Sequence, residues 1–288
     1  MKVVVTGANG QLGKDLVDIL LNKGFDVYGF GRAELDICNL EQCRQVLDSL
    51  RPDTIVHSAA YTAVDQAESD QDRAYQVNAF GTRNIAVCAE RIGAKLVYIS
   101  TDYVFDGTGQ VPYKEYDSTN PIGVYGKSKH AGELLVSSLC HRYFIVRTSW
   151  VYGLHGNNFV KTMLKLGNER DSLKVVNDQV GSPTYTVDLS HFLVELIRTE
   201  RYGIYHASNS GACSWYEFAK AIFEVSGLSI DVEPCTTDEF PRPAPRPMFS
   251  VMDHMSIRTN GFEDFRHWKE ALHAFIKINK KISTYLLD

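Results

Sequence analysis

Lys2-Val3-Val4-Val5-Thr6-Gly7-Ala8-Asn9-Gly10-Gln11-Leu12-Gly13 decides how this chain is read. The run Lys2–Thr6, with three consecutive valines, asks for a strand buried on both faces. Glycines follow at positions 7, 10 and 13, and Leu12–Asn22 then carries apolar residues at helical intervals. A strand, a glycine turn and a helix start make a pyrophosphate cradle: backbone N–H groups converge at the helix N-terminus with no Cβ in the way. The spacing is G-x-x-G-x-x-G, not G-x-G-x-x-G. Glycines alone are a weak signal, and a purely structural turn is the alternative. The strand before them and the helix after them favour a dinucleotide site.

Outward from this turn the first half keeps alternating. Asp26–Phe30, Thr54–Ser58 and Lys95–Ser100 read as further strands, and Ala74–Arg91 as a helix between the last two. This βαβα order predicts a doubly wound parallel sheet with right-handed crossovers. After residue 150 the pattern changes. Asn158–Leu166, Thr186–Arg198 and Trp215–Val225 look helical, while Leu173–Val176 and Gly203–His206 look like short strands. Prolines 241, 243, 245 and 247 form a stiff extended segment. The expected organisation is a dinucleotide-binding domain over 1–150 and a mainly substrate-binding α/β domain over 151–288. The chain should cross back to the first domain near 183–206.

Composition narrows the function. Of 288 residues 44% are hydrophobic and 23% charged, the balance of a globular protein able to bury its own core. The net charge of −5 and scattered cations argue against a nucleic-acid partner. None of the six cysteines forms a C-x-x-C pair, so reduced core cysteines are expected rather than zinc ligands. No run reaches the length of a membrane span and the start does not read as a signal peptide, so no membrane partner and a cytoplasmic location are expected.

The cofactor is read from the end of the second strand. An acid there would hold a ribose 2′-hydroxyl and favour NAD, but Phe30-Gly31-Arg32 offers none before Glu34. Arg32 suits a 2′-phosphate, or is a solvated surface charge. Asp36 and Ile37 stand where adenine would lie. NADPH or NADH is the expected cofactor.

Tyr125-Gly126-Lys127-Ser128-Lys129 places a tyrosine and a lysine on one face of a helix. Reducing a ketone needs a proton at the oxygen as hydride reaches the carbon. A nearby ammonium brings the phenol closer to working pH, and the same lysine can hold the nicotinamide ribose. Thr101, at the carboxyl end of a strand, can bond the reacting oxygen. A second pair, Tyr216 and Lys220, lacks a glycine loop and hydroxyl cluster before it and is read as structural.

Together these residues resemble the extended short-chain dehydrogenase/reductases. Gly10–Gly13, Ala59–Asp65, Ser100–Gly107, Tyr125–Lys129 with Gly132-Glu133, and Arg147–Gly153 resemble more closely the dTDP-4-dehydrorhamnose reductase family. The resemblance implies a Rossmann-type sheet and reduction of the 4-keto group of dTDP-4-dehydro-6-deoxy-L-mannose to dTDP-L-rhamnose. Carried over position by position, it puts Gly10, Gln11 and Leu12 at the pyrophosphate, Ala59, Ala60 and Tyr61 beside the cofactor, and Ser100 near the nicotinamide. Thr101, Asp102 and Trp150 would touch the sugar. Asn78, counted with the cofactor-binding residues, would support the active-site helix or a proton-relay water. For three of these a plainer role stays open: Asp102 bonding its own loop, Trp150 in the core, and Asn78 capping its helix.

Two departures stand out. The family's proline-rich segment ends in Arg-Pro-x-Asn-Ser, and this chain has Arg246-Pro247-Met248-Phe249-Ser250. Some members hold magnesium between carboxylates at a dimer interface. Asp15 matches one ligand and the others cannot be placed, so no metal is assigned and a homodimer is left open. Rival readings are another nucleotide-sugar ketoreductase or an epimerase, a non-catalytic regulatory subunit, and a redox sensor.

Overall fold

The computed structural model describes residues 1–285, with side chains to residue 281. The last three residues of the expected second domain lie outside the described residues. The strands are β1 (Lys2–Thr6), β2 (Asp26–Phe30), β3 (Thr54–His57), β4 (Lys95–Thr101), β5 (Tyr143–Thr148), β6 (Val151–Tyr152), β7 (Ser172–Val176), β8 (Val180–Gly181), β9 (Thr184–Tyr185), β10 (Gly203–His206), β11 (Cys213–Ser214) and β12 (Asp231–Cys235). The helices are α1 (Gln11–Asn22), α2 (Leu40–Leu50), α3 (Val64–Ala67), α4 (Gln71–Tyr75), α5 (Thr82–Ile92), α6 (Val124–Leu139), α7 (Phe159–Gly167), α8 (Thr186–Ile197), α9 (Trp215–Ser226), α10 (Met255–Thr259) and α11 (Trp268–Tyr285). A π-helical turn, Gln76–Gly81, joins α4 to α5.

Six parallel strands form the main sheet in the order β2-β1-β3-β4-β5-β10. The order reverses between β1 and β3, and ligands of such sheets bind at the carboxyl ends beside that reversal. Strand alternation shows why β1 is all apolar. Val3 and Val5 join one buried cluster while Val4 joins the cluster on the opposite face.

The first face is closed by α1 and α8. Leu12, Leu16 and Leu20, four residues apart, form the inward stripe of α1, and Leu189, Phe192 and Leu193 of α8 meet it. Burying each such leucine is worth roughly 1.5–3 kcal/mol. The second face is covered by α2, α5 and α6, where Cys43, Cys88 and Cys140 pack as small apolar groups. All six cysteines are free thiols. Burial pushes the Cys43 thiol up to about 12, so it stays protonated and unreactive.

A third cluster lies in the C-terminal half, where Tyr152, Tyr185, Phe218, Trp268 and Phe275 gather among α7, α9 and α11. This half does not keep to itself: α8 packs on α1, and β10 extends the main sheet by pairing with β5. The proline segment runs as a strap, tied by Phe249 N–H to Gly107 O and by Arg246 to Asp65 at 2.9 Å.

Candidate active site

A cleft of about 720 Å³ runs along the carboxyl ends of β1, β3, β4 and β5. At one end is the glycine turn. Gly7 sits at φ +70°, and a Cβ on it would come within 2.7 Å of Ala59 N. A Cβ on Gly13 would collide with Gly7 O. The first turn of α1 has no side-chain cap, which leaves backbone N–H groups aimed at the cleft. This is a cradle shaped for a pyrophosphate. Gln11 enters it through its backbone only, because its side chain donates to Val151 O and accepts from Asn158.

Arg32, Asp36 and Ile37 line the far end beyond the turn, together with Cys38 and Arg73. Arg73, from α4, donates to the Gln76 side chain at 2.6 Å. Ala59, Ala60 and Tyr61, released from the end of β3, form the opposite wall. Asn78 stands apart from this wall. It is fully buried in the π-helical turn, where its side chain accepts from Tyr61 N–H and donates to Tyr61 O and to the Ser128 hydroxyl. It holds the wall and α6 in place rather than facing the cleft.

Behind the wall lies a buried chain of polar groups. The Thr82 hydroxyl donates to Asn78 O, so it accepts from His57 Nε2, and His57 Nδ1 accepts from Thr6. Burial lowers the His57 pKa to about 3, which keeps it neutral and suited to both roles.

At the other end of the cleft the candidate catalytic side chains converge. Thr101 ends β4, Tyr125 and Lys129 lie one turn apart on α6, and Asp102, Ser100 and Trp150 complete the wall. Burial pushes the Tyr125 hydroxyl up to about 12, against a lowering contribution from Thr101. Burial likewise pulls Lys129 down to about 7. Its Nζ donates to Ile99 O at 2.7 Å and lies 4.0 Å from the Tyr98 ring centroid. The expected lowering of the tyrosine pKa by its lysine is therefore absent here, because desolvation dominates both groups. A neutral phenol is nevertheless the form that donates a proton to a developing alkoxide.

Asp102 is buried, and burial raises its pKa to about 6 despite the opposing effect of the Ser250 and Thr101 hydroxyls. Thr101 donates to its carboxyl at 3.0 Å. The Trp150 indole stacks face to face on Trp215 at 3.5 Å, with Gly181 packed against the ring. Its backbone sits at φ +46°. At the departure from the family pattern, Phe249 tilts against Tyr113, with ring centroids 6.3 Å apart.

Seventeen of the residues singled out from sequence line this one cleft, and Asn78 supports it from behind. Sequence reasoning missed Asn9, Arg73, Tyr103, Thr148, Ser149 and Asn157. Thr148 and Ser149 had a usable signal, since they end β5 on the ligand side of the sheet. Arg73 and Asn157 had none. Asp15 does not fit a metal: its carboxyl bonds the Thr186 hydroxyl and lies 3.5 Å from His155. Among the described residues no group of three or more His, Cys, Asp or Glu side chains gathers to hold an ion. Nor is any described helix long and apolar enough to cross a membrane.

Comparison with known proteins bears on this geometry. The family model described as RmlD substrate binding domain matches residues 1–280. A spore coat polysaccharide biosynthesis protein of Bacillus subtilis is 47% identical, covering 96% of this chain and 97% of its own length. A dTDP-4-dehydrorhamnose reductase of Aggregatibacter actinomycetemcomitans is 41% identical over 94% of this chain and 97% of its own. The crystal structure of dTDP-4-dehydrorhamnose reductase from Bacillus anthracis in complex with NADP superposes with a TM-score of 0.94. It is 52% identical and covers 95% of this chain and 98% of that one.

Proposed function

The chain belongs to the RmlD substrate binding domain family and is an oxidoreductase, and on that footing we propose that it reduces the 4-keto group of dTDP-4-dehydro-6-deoxy-L-mannose to give dTDP-L-rhamnose. The observation that carries the reading is the convergence of Thr101, Tyr125 and Lys129 at one end of a cleft whose other end is a phosphate cradle. A nicotinamide dinucleotide, NADPH or NADH, would supply the hydride when bound. Gly7, Gly10, Gln11, Leu12 and Gly13 would hold its pyrophosphate, and Arg32 the 2′-phosphate of NADPH. Asp36 and Ile37 would flank the adenine. Ala59, Ala60, Tyr61 and Ser100 would line its path, with Lys129 on the ribose.

This chain's own residues manage the proton. Thr101 orients the keto oxygen. Tyr125 gives its hydroxyl proton to that oxygen as negative charge develops there. Lys129 stabilises the tyrosinate left behind. Asp102 and Trp150 would fix the sugar, and the apolar walls exclude water, which strengthens each of these interactions.

The test follows the loss of reduced-nicotinamide absorbance after adding dTDP-4-dehydro-6-deoxy-L-mannose, with NADPH and then with NADH. Consumption with formation of dTDP-L-rhamnose supports the reading. Cofactor binding without consumption would sink it. So would product formed with no net use of cofactor, as an epimerase requires.

A further inference from the structure

Lys129 and Glu133 are one helical turn apart on α6, and both are buried. They fasten the helix to consecutive residues of β4. The lysine donates to Ile99 O at 2.7 Å, and Glu133 accepts from the Ser100 hydroxyl at 2.5 Å. The next residue on the strand is Thr101. Glu133 is in turn gripped by the Arg147 fork, with Nε and Nη2 reaching its two oxygens at 3.0 and 2.8 Å. Arg147 lies near His206 at 3.3 Å, and His206 bonds the carbonyls of Tyr113 and Asp253. The pair thus joins α6, β4, β5, β10 and the C-terminal segment directly beneath the reacting groups.

We propose that Glu133 is a positioning residue for the reaction: it pins α6 to β4 beside Thr101, and its fixed negative charge holds Lys129 as an ammonium inside a dry pocket. The proposal rests on the role assigned to Lys129 above. The groups that face Lys129 leave few alternatives. From β3 comes His57, held neutral. From β4 comes the Tyr98 ring, whose hydroxyl donates to Lys129 O. From α6 itself come Tyr125, which is uncharged, and Glu133. Asp102, beyond Thr101, is raised toward its neutral form. Arg147 donates to both carboxyl oxygens of Glu133, a two-pronged charge-assisted pair. Burial alone would drive the lysine proton off, and the carboxylate opposes that loss.

A merely structural ion pair and a charge-setting one differ in what Glu133→Gln does. Glutamine keeps an acceptor for Ser100 and loses the charge. Nitrogen-15 NMR of lysine amino groups in the ligand-free protein reads the Lys129 titration directly, the resonance being assigned by its loss in Lys129→Met. We expect the midpoint to fall by about one unit or more in Glu133→Gln. It should stay near the parent's in Glu133→Asp, which retains the charge. The alkaline limb of kcat/KM should move to lower pH in step. If Glu133→Gln does not fold, the double variant Glu133→Gln/Arg147→Met removes both buried charges and should show a smaller fall in the same direction, because the loss of the guanidinium partly offsets the loss of the nearer carboxylate. An unchanged midpoint in Glu133→Gln, a rise in the double variant, or an equal fall with aspartate overturns the proposal. Because the NMR reading needs no sugar, it stands apart from any failure of the reductase assay.

Discussion

Two helices of this protein carry a tyrosine and a lysine four residues apart, and their fates differ. On α9, Tyr216 is half-buried against the C-terminal cluster and Lys220 is exposed, the ammonium 5.3 Å from the phenol ring centroid. A capping box of Ser214 and Glu217 closes the start of that helix, so its first N–H groups are spent. On α6, Tyr125 and Lys129 face the strand ends of the main sheet. The lysine donates to Ile99 O and lies over the Tyr98 ring. The helix start is met by a distant carboxylate, Glu68, which accepts from Val124 N–H at 2.8 Å. Helical spacing makes a pair of neighbours. Only their place beside a sheet's carboxyl edge, next to Thr101, fits them to the proposed roles of acid and support.

The largest effect should come from removing the two hydroxyls in turn. Tyr125→Phe is expected to cut turnover about 100-fold or more, as for a lost general acid, with cofactor affinity largely kept. Tyr216→Phe should leave turnover near that of the parent. Equal rates for the two variants would break the contrast.

A second test concerns the unfavourable charge that only the buried site stores. The folded Asp102 carboxyl holds its proton up to about pH 6, well above the ordinary carboxylate value. The native state therefore binds more protons than the unfolded chain between those values, and stability falls as pH rises through that window. Asp102→Asn removes the penalty. Thermal unfolding should show the variant more stable than the parent at neutral pH by on the order of 1–3 kcal/mol, with the gain gone once the carboxyl is protonated in both states. A variant less stable at neutral pH would show that Asp102 holds the fold together there.

The smallest effect belongs to the exposed end of the cleft. Arg32 is exposed, so its pairing with a phosphate is worth about 1 kcal/mol. Arg32→Ala should weaken NADPH binding about fivefold and NADH binding hardly at all, as read by fluorescence titration. Equal weakening of both would move the 2′-phosphate contact elsewhere, with Arg73 the next residue to change.

Legibility followed how local the physics is. The glycine turn could be read because strand, turn and helix start are consecutive, and because a missing Cβ is visible in the letters themselves. Tyr125 and Lys129 could be read for the same reason, helical spacing being local. Asn78 reads as a support of the active-site helix and counts with the cofactor-binding residues; it faces away from the cleft and ties Tyr61 to Ser128 of α6, residues 17 before and 50 after it. Arg73 could not be singled out from other surface arginines, since its place in the cleft wall depends on how α4 docks.

The sequence by itself determined the alternating α/β order, the dinucleotide cradle and the types of group available for proton transfer, because each follows from periodicity, backbone freedom or side-chain chemistry within a few residues. The tertiary structure alone decided that Asn78 turns from the cleft to tie Tyr61 to Ser128. It also decided that Glu133, Arg147 and His206 meet beside the end of β4. Those outcomes depend on burial and on pairings between distant segments, and desolvation, which sets the charge of Asp102, Tyr125 and Lys129, exists only once the chain has closed around them.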